Sequence, residues 1–168
     1  MNSFVPKHVI NRIAHNGSTL CRCNWGRSWG LIALLLVACA PSRMEQCGQL
    51  GEATRTVMDS VMAVHQNQIG KNAYDAEYER RQAEAWAQGS QTIQAVTVSD
   101  QRLQTIQADL AKAYEYAGTV TRQGADLIPE NGYMTADLAA THNAYQQQAQ
   151  EPIAKAVDAL NRYCIGGS

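Results

Sequence analysis

The sequence lacks a hydrophobic run long enough to cross a membrane as a helix. Its longest apolar stretch, Leu31–Ala38, is well short of the roughly 18–20 apolar residues that span a bilayer. No acidic residue precedes Glu45. The lysine and arginine residues upstream of the apolar stretch are Lys7, Arg12, Arg22 and Arg27. A basic, acid-free leader that ends in a short apolar stretch is typical of a secretory signal, so we predict that the protein is exported.

The sequence also lacks the short motifs of common catalytic sites. It contains no Gly-x-Ser-x-Gly, no phosphate-binding loop, no His-Glu-x-x-His and no dinucleotide fingerprint. The Glu-x-x-His pairs of di-iron helical bundles are missing as well, and the carboxylates are scattered along the chain. We therefore predict a protein that is not an enzyme.

Aromatic residues are scarce, at 7% of the sequence, whereas alanine and glutamine are abundant. This composition is typical of a helical domain. All 15 acidic residues follow residue 38, so the exported part has a net negative charge. A negative domain lacks the basic face that nucleic-acid phosphates require, and we predict no nucleic-acid partner.

The end of the apolar stretch has the pattern of a lipid attachment site. Leu36-Val37-Ala38-Cys39 resembles the lipobox of bacterial lipoproteins, in which apolar and small residues precede the cysteine. The resemblance implies cleavage after Ala38 and attachment of diacylglycerol to the Cys39 thiol, with further acyl chains such as palmitate. Several acyl chains are enough for stable anchoring. We predict a signal peptide at 1–38, a lipidated tether at 39–44 and a folded domain at 45–168.

Other interpretations of the leader stay open. Cys39 could follow an ordinary cleaved signal by chance, or the signal could remain as an uncleaved anchor. Translation from Met44 would remove the signal and leave the protein in the cytosol. The lipoprotein interpretation instead places the protein on a membrane, facing the periplasm, the cell exterior or the thylakoid lumen.

Four segments have apolar residues at intervals of three and four, the spacing of an amphipathic helix. The clearest stripe is Leu103, Ile106, Leu110, Ala113, Ala117 and Val120. The predicted helices lie at about 45–68, 73–96, 100–123 and from 135 onwards, separated by residues that favour turns and caps. Short connections between such helices predict an all-α fold, an antiparallel four-helix bundle.

Three local features carry their own expectations. Asn72 is expected to cap the second helix. Pro152 removes an interior backbone donor and is expected to kink or split the fourth helix. A charged stretch in the second helix predicts a face exposed to solvent; its members are Glu77, Glu79, Arg80, Arg81 and Glu84.

Cys47 and Cys164 lie near opposite ends of the folded domain. Exported proteins meet an oxidising environment, in which paired thiols form disulfides. In an up-down bundle the first and fourth helices are antiparallel neighbours, which brings these two cysteines to the same end. We predict that they form a disulfide. A redox or metal-binding thiol pair is the alternative, although no Cys-x-x-Cys motif is present.

The domain has two histidines, His65 and His142, at similar distances along the chain from Cys47 and Cys164. Met58 and Met62 share a helix face with His65. Thioether and imidazole ligands suit Cu(I), and two facing imidazoles can hold zinc or haem iron. Core packing explains the same methionines without a metal. We predict no cofactor, with copper or haem bound by these two histidines and the nearby methionines as the alternative.

The segment 85–110, with its junction Val98-Ser99-Asp100-Gln101-Arg102-Leu103, looks like small helical lipoproteins of cyanobacteria. The overall plan also resembles the extrinsic lipoproteins of photosystem II, in architecture only. Neither resemblance identifies a functional residue. Together they imply a lipid-anchored helical bundle that serves as a structural or protein-interaction module, with a membrane protein as its partner.

Overall fold

The computed structural model describes residues 41–68 and 74–166. These residues form four α-helices: α1 at Arg43–Gln66, α2 at Ala76–Gln94, α3 at Gln101–Asp126 and α4 at Ala136–Ile165. No strand occurs in these two ranges, so the all-α prediction is confirmed. No helix in the same ranges is both long enough and apolar enough to cross a membrane. Residues 1–38 and Cys39 lie outside the described residues.

Each helix begins at a side chain that accepts hydrogen bonds from the amides of the first turn. These caps are Ser42, Asp75, Asp100 and Thr135. Asp75 caps α2 through the amides of Glu77 and Tyr78, so the cap is not the predicted Asn72, which lies outside the described residues. The bundle also begins at Arg43, within the segment 39–44 that the sequence analysis assigns to the tether.

The helices run in alternating directions, as the four-helix bundle prediction requires. α3 packs extensively on both α2 and α4, and α1 packs mainly on α2. Contact between α1 and α4 is slight. The sequence analysis expected α1 and α4 to be neighbours. They meet at the disulfide, but they do not pack along their lengths.

The centre of the core lies between α2 and α3. Tyr114, the largest fully buried side chain, stacks on Trp86 with their ring centroids 5.7 Å apart. Burial raises the pKa of the Tyr114 phenol, because the charged form would lose its hydration. Small residues around this pair let the two helices approach closely, and at Gly118 the backbone of α2 lies close against α3.

Gly118→Ala should lower the free energy of unfolding by about 1–3 kcal/mol, a typical cost of overpacking. A methyl group there would lie 2.9 Å from the backbone carbonyl oxygen of Ala83, so α2 and α3 would have to move apart. Gly48→Ala is the matched control, since among the described residues its new methyl group would meet no atom within 4 Å apart from its chain neighbours and the backbone of its own helix. That change should instead stabilise α1 by up to about 1 kcal/mol. Urea denaturation of both variants measures the difference, and equal stabilities would contradict the close approach.

The fourth helix is not split at Pro152, so that part of the prediction is wrong. α4 continues through the proline from Ala136 to Ile165. Proline removes the hydrogen bond that its amide would give to the carbonyl of Gln148. Gln148 is exposed, so water can satisfy that carbonyl without a break in the helix.

Candidate functional site

A buried carboxyl group and a buried imidazole, those of Glu79 and His142, lie side by side at the end of the bundle where α2 and α4 begin. Glu79 and His142 are each only 5% exposed, and Oε1 of Glu79 lies 3.4 Å from Nε2 of His142. The second carboxylate oxygen of Glu79 accepts a hydrogen bond of 2.8 Å from the amide group of Gln146. A buried carboxylate is tolerated only with such partners, because it has lost its hydration.

The imidazole of His142 is enclosed by three helices and by Tyr74. The ring of Tyr74 meets it edge-on, with the ring centroids 5.8 Å apart. On α3, a Cβ placed on Gly124 would lie 3.5 Å from Cδ2 of His142, an ordinary van der Waals distance, so α3 passes directly beside the ring. Within the part of the chain that the structure describes, neither ring nitrogen makes a hydrogen bond. Glu79 is therefore the principal electrostatic partner of His142.

His65 has a separate partner on α2. Its Nδ1 lies 2.8 Å from the hydroxyl oxygen of Tyr78, which is buried. Burial, and secondarily the charge of Glu79, raises the pKa of Tyr78 to about 12. The hydroxyl therefore stays protonated and is able to donate to the histidine.

The two histidines lie at the same level of the bundle, as the chain distances from the cysteines predicted, because Tyr78 and Glu79 are consecutive residues of α2. Met58 and Met62 are both half-buried, and Met58 packs against the core. Among residues 41–68 and 74–166, no group of three or more His, Cys, Asp or Glu side chains is arranged to hold a metal ion. The absence of a cofactor stays a prediction, with copper or haem binding as its alternative.

The buried position of Glu79 is a correction to the sequence analysis, which placed this residue on a solvent-exposed face. The other charged residues of that stretch are exposed as predicted; they are Glu77, Arg80, Arg81 and Glu84. Glu79 continues the buried stripe of Ala83, Trp86 and Ser90 by one turn toward the start of α2. The helical spacing of Glu79 therefore indicated burial, but its charge and its charged neighbours indicated exposure.

At the opposite end, Cys47 and Cys164 form a disulfide, with their Cα atoms 5.8 Å apart. Both cysteines are buried, and the bond joins the start of α1 to the end of α4. This arrangement agrees with the predicted pairing. We refer to this part of the molecule, which also contains the α2–α3 connection, as the disulfide end.

Buried Gln46 ties α1 to the α2–α3 connection at the disulfide end. Its side-chain oxygen accepts hydrogen bonds from the backbone amides of Ser99, at 2.7 Å, and Asp100, at 3.0 Å. Its side-chain nitrogen donates to the carbonyl of Pro41 at 2.7 Å. Sequence analysis did not identify this residue, because Ser99 and Asp100 are far away along the chain.

Tyr163 joins three helices at the same end. Its hydroxyl donates to Asp100 over 2.9 Å, and the guanidinium carbons of Arg43 and Arg102 lie 5.4 Å and 5.1 Å from its ring centroid. The hydrogen bond from the Leu103 amide, with that from Tyr163, holds the pKa of Asp100 below its usual value. α1, α3 and α4 are therefore linked by charged and polar groups beside the disulfide.

The free energy of unfolding should fall in acid, partly through Asp100. A carboxyl with a lowered pKa in the folded state stabilises fully above its unfolded value of about 3.9, and that contribution is lost as the pH falls through the folded pKa. Asp75, whose pKa is lowered by the amide of Tyr78, acts with the same sign. Asp100→Asn should therefore lose less stability than the wild type between about pH 5 and pH 2. Urea denaturation across this range measures the slope, and parallel curves would contradict the role of Asp100.

An open groove of about 420 Å³ runs between α3 and α4 near Pro152. Ala113, Tyr116 and Ala156 contribute apolar surface, and charged side chains such as Lys112 also line it. Tyr116 is one of the large side chains that the described part leaves exposed. The groove therefore combines apolar and charged surface that another molecule could contact.

Against protein-family models, curated proteins and solved structures, the chain gives no match.

Proposed function

We propose that this protein is a lipoprotein, tethered through Cys39 to a membrane outside the cytosol, whose four-helix bundle is a non-catalytic structural or protein-interaction module. The observation that carries the proposal is the buried bond between Cys47 and Cys164, which are 117 residues apart. Structural disulfides of this kind persist in oxidising compartments and are rare in the cytosol. An export signal that ends in a lipobox agrees with such a compartment.

The arrangement of polar groups supports a structural role. The Glu79–His142 pair is buried and faces Gln146, so a substrate has no access to it in this structure. Asp100 is occupied by the cap of α3 and by the hydroxyl of Tyr163. These ionisable groups hold helices together, which is what a rigid interaction module requires.

Exposed surface on α3 supports the interaction role. Tyr116 stands beside the groove near Pro152, and exposed tyrosines combine an apolar ring with a polar tip, a combination enriched at protein interfaces. A partner embedded in the same membrane would meet this face of α3 and α4 without competing with the anchor.

The test is intact-mass analysis of the protein extracted from native membranes. We expect residues 1–38 to be absent and Cys39 to bear acyl chains, and we expect Cys39→Ser to abolish both changes. A photoreactive amino acid at position 116 should then crosslink to a membrane protein, whereas the same label at exposed Gln49 on α1 should not. Recovery of an unprocessed, unacylated protein from the cytoplasm would refute the proposal.

A further inference from the structure

Two large apolar side chains are exposed at the disulfide end. Met44, in the first turn of α1, is 52% exposed, and Ile165, the last residue of α4, is 54% exposed. Met44 lies one helical turn before Cys47, and Ile165 follows Cys164 directly. The disulfide therefore holds the two helix ends side by side, and both ends present apolar surface.

Charged and aromatic groups border these apolar side chains. The guanidinium carbons of Arg43 and Arg102 lie 5.4 Å and 5.1 Å from the ring centroid of Tyr163. Tyrosine together with arginine, whose long stem lets its charge reach the headgroups, is typical of the membrane–water interface. An isolated exposed methionine or isoleucine would need no explanation, but this combination at one end of a bundle does.

The formal charges at this end nearly cancel. Arg43 and Arg102 are offset by Glu45 and Asp100, and Arg162 pairs with Asp158 at 2.9 Å. A surface of this kind has no strong preference for anionic lipid. Insertion of apolar side chains into the interfacial layer is therefore the expected source of its membrane contact.

The chain between Cys39 and the bundle is too short to hold this end away from the membrane. Cys39 is four residues before Arg43, where α1 begins, and four residues span at most about 14 Å. The 24 residues of α1 extend about 36 Å beyond that point. An acylated Cys39 would thus keep the disulfide end beside the headgroups while the other end is free to stand away from them.

We propose that the disulfide end is a membrane-contact surface, with Met44 and Ile165 inserted at the bilayer interface and the bundle standing upright on them. This inference rests on the proposed acylation of Cys39 and adds an orientation to it. The Glu79–His142 end and the exposed Tyr133 in the α3–α4 connection then face away from the bilayer. The groove near Pro152 faces sideways, toward neighbours in the same membrane.

The test uses the acylated protein reconstituted into phosphatidylcholine vesicles with brominated acyl chains, which quench nearby tryptophan. Three variants, Met44→Trp, Ile165→Trp and Tyr133→Trp, each place a tryptophan at an exposed position. The wild-type signal from buried Trp86 is subtracted from each. We expect a loss of fluorescence at positions 44 and 165 and an unchanged signal at position 133. Thermal unfolding at the wild-type temperature verifies that each variant is folded.

Each other result overturns the orientation. Quenching at position 133 equal to that at 44 would mean that the bundle lies flat on the bilayer. No quenching at any position in protein that floats with the vesicles would leave the anchor intact and assign the apolar end to a protein partner. Absence of the acyl mass from the purified protein would overturn the proposed function as well, so the two failures are distinguishable.

Discussion

Loss of the Cys47–Cys164 disulfide should lower the free energy of unfolding by about 4–5 kcal/mol, the value expected when a crosslink closes a loop of this length. The two cysteines are 117 residues apart, so in the unfolded state the bond closes a loop that contains nearly the whole domain. In the native state it is also the main link between α1 and α4, which pack little on each other. Loss of the crosslink in the unfolded state and loss of the link in the native state both lower the stability.

Urea denaturation of the wild type and of Cys47→Ala/Cys164→Ala measures this loss. Cys47→Ala alone is the informative control, because it already removes the crosslink and should cost nearly as much as the double variant. Hydrogen exchange adds a spatial test. Amides of α1 should exchange faster in the variants, whereas those at the α2–α3 contact around Tyr114 should retain most of their protection, because that contact does not depend on the bond. Equal stability of the oxidised protein and the double variant would contradict the prediction.

The four helices could be predicted from the sequence because the apolar residues on the buried face of a helix recur at regular intervals within one short segment. Leu103, Ile106 and Leu110 recur at the helical spacing and are all buried on α3. The caps are residue types that the same local pattern favours, namely Ser, Asp and Thr. At α2 the predicted cap Asn72 and the observed cap Asp75 are three residues apart, and helix ends are the part of a helix that such a pattern specifies least.

The contacts between distant residues could not be predicted in this way. Gln46 and Ser99 are 53 residues apart, and Tyr163 and Asp100 are 63 residues apart. Nothing in the local sequence of either member identifies the other. The slight contact between α1 and α4 could not be predicted either. Alternating helix directions define which helix ends meet, but they do not define how closely two helices pack.

Glu79 shows where a local rule misleads. A glutamate among charged neighbours is most often exposed, and four of the five charged residues in that stretch are. Burial of the fifth depends on His142 and Gln146, which α4 brings across the bundle. Only the assembled structure supplies the partners that make the buried carboxylate acceptable.

Glu79→Ala should lower the free energy of unfolding by about 2–4 kcal/mol, because it removes the partner of two buried polar groups, each of which costs about 1–3 kcal/mol when left unsatisfied. It leaves His142 buried without its principal partner and leaves the amide group of Gln146 without its acceptor. Glu84→Ala, on the exposed face of the same helix, is the matched control and should change stability by no more than about 0.5 kcal/mol.

A double-mutant cycle separates the interaction from the burial of each group. Glu79→Leu and His142→Leu should each be strongly destabilising, whereas the double variant should recover much of the loss, because two apolar side chains need no buried partner. Urea denaturation of the four proteins gives the coupling energy. Strictly additive losses would mean that the two groups do not depend on each other. A large coupling energy would show that the pair specifies how α2 and α4 meet, which is the property expected of a rigid module whose buried polar groups serve the fold rather than a reaction.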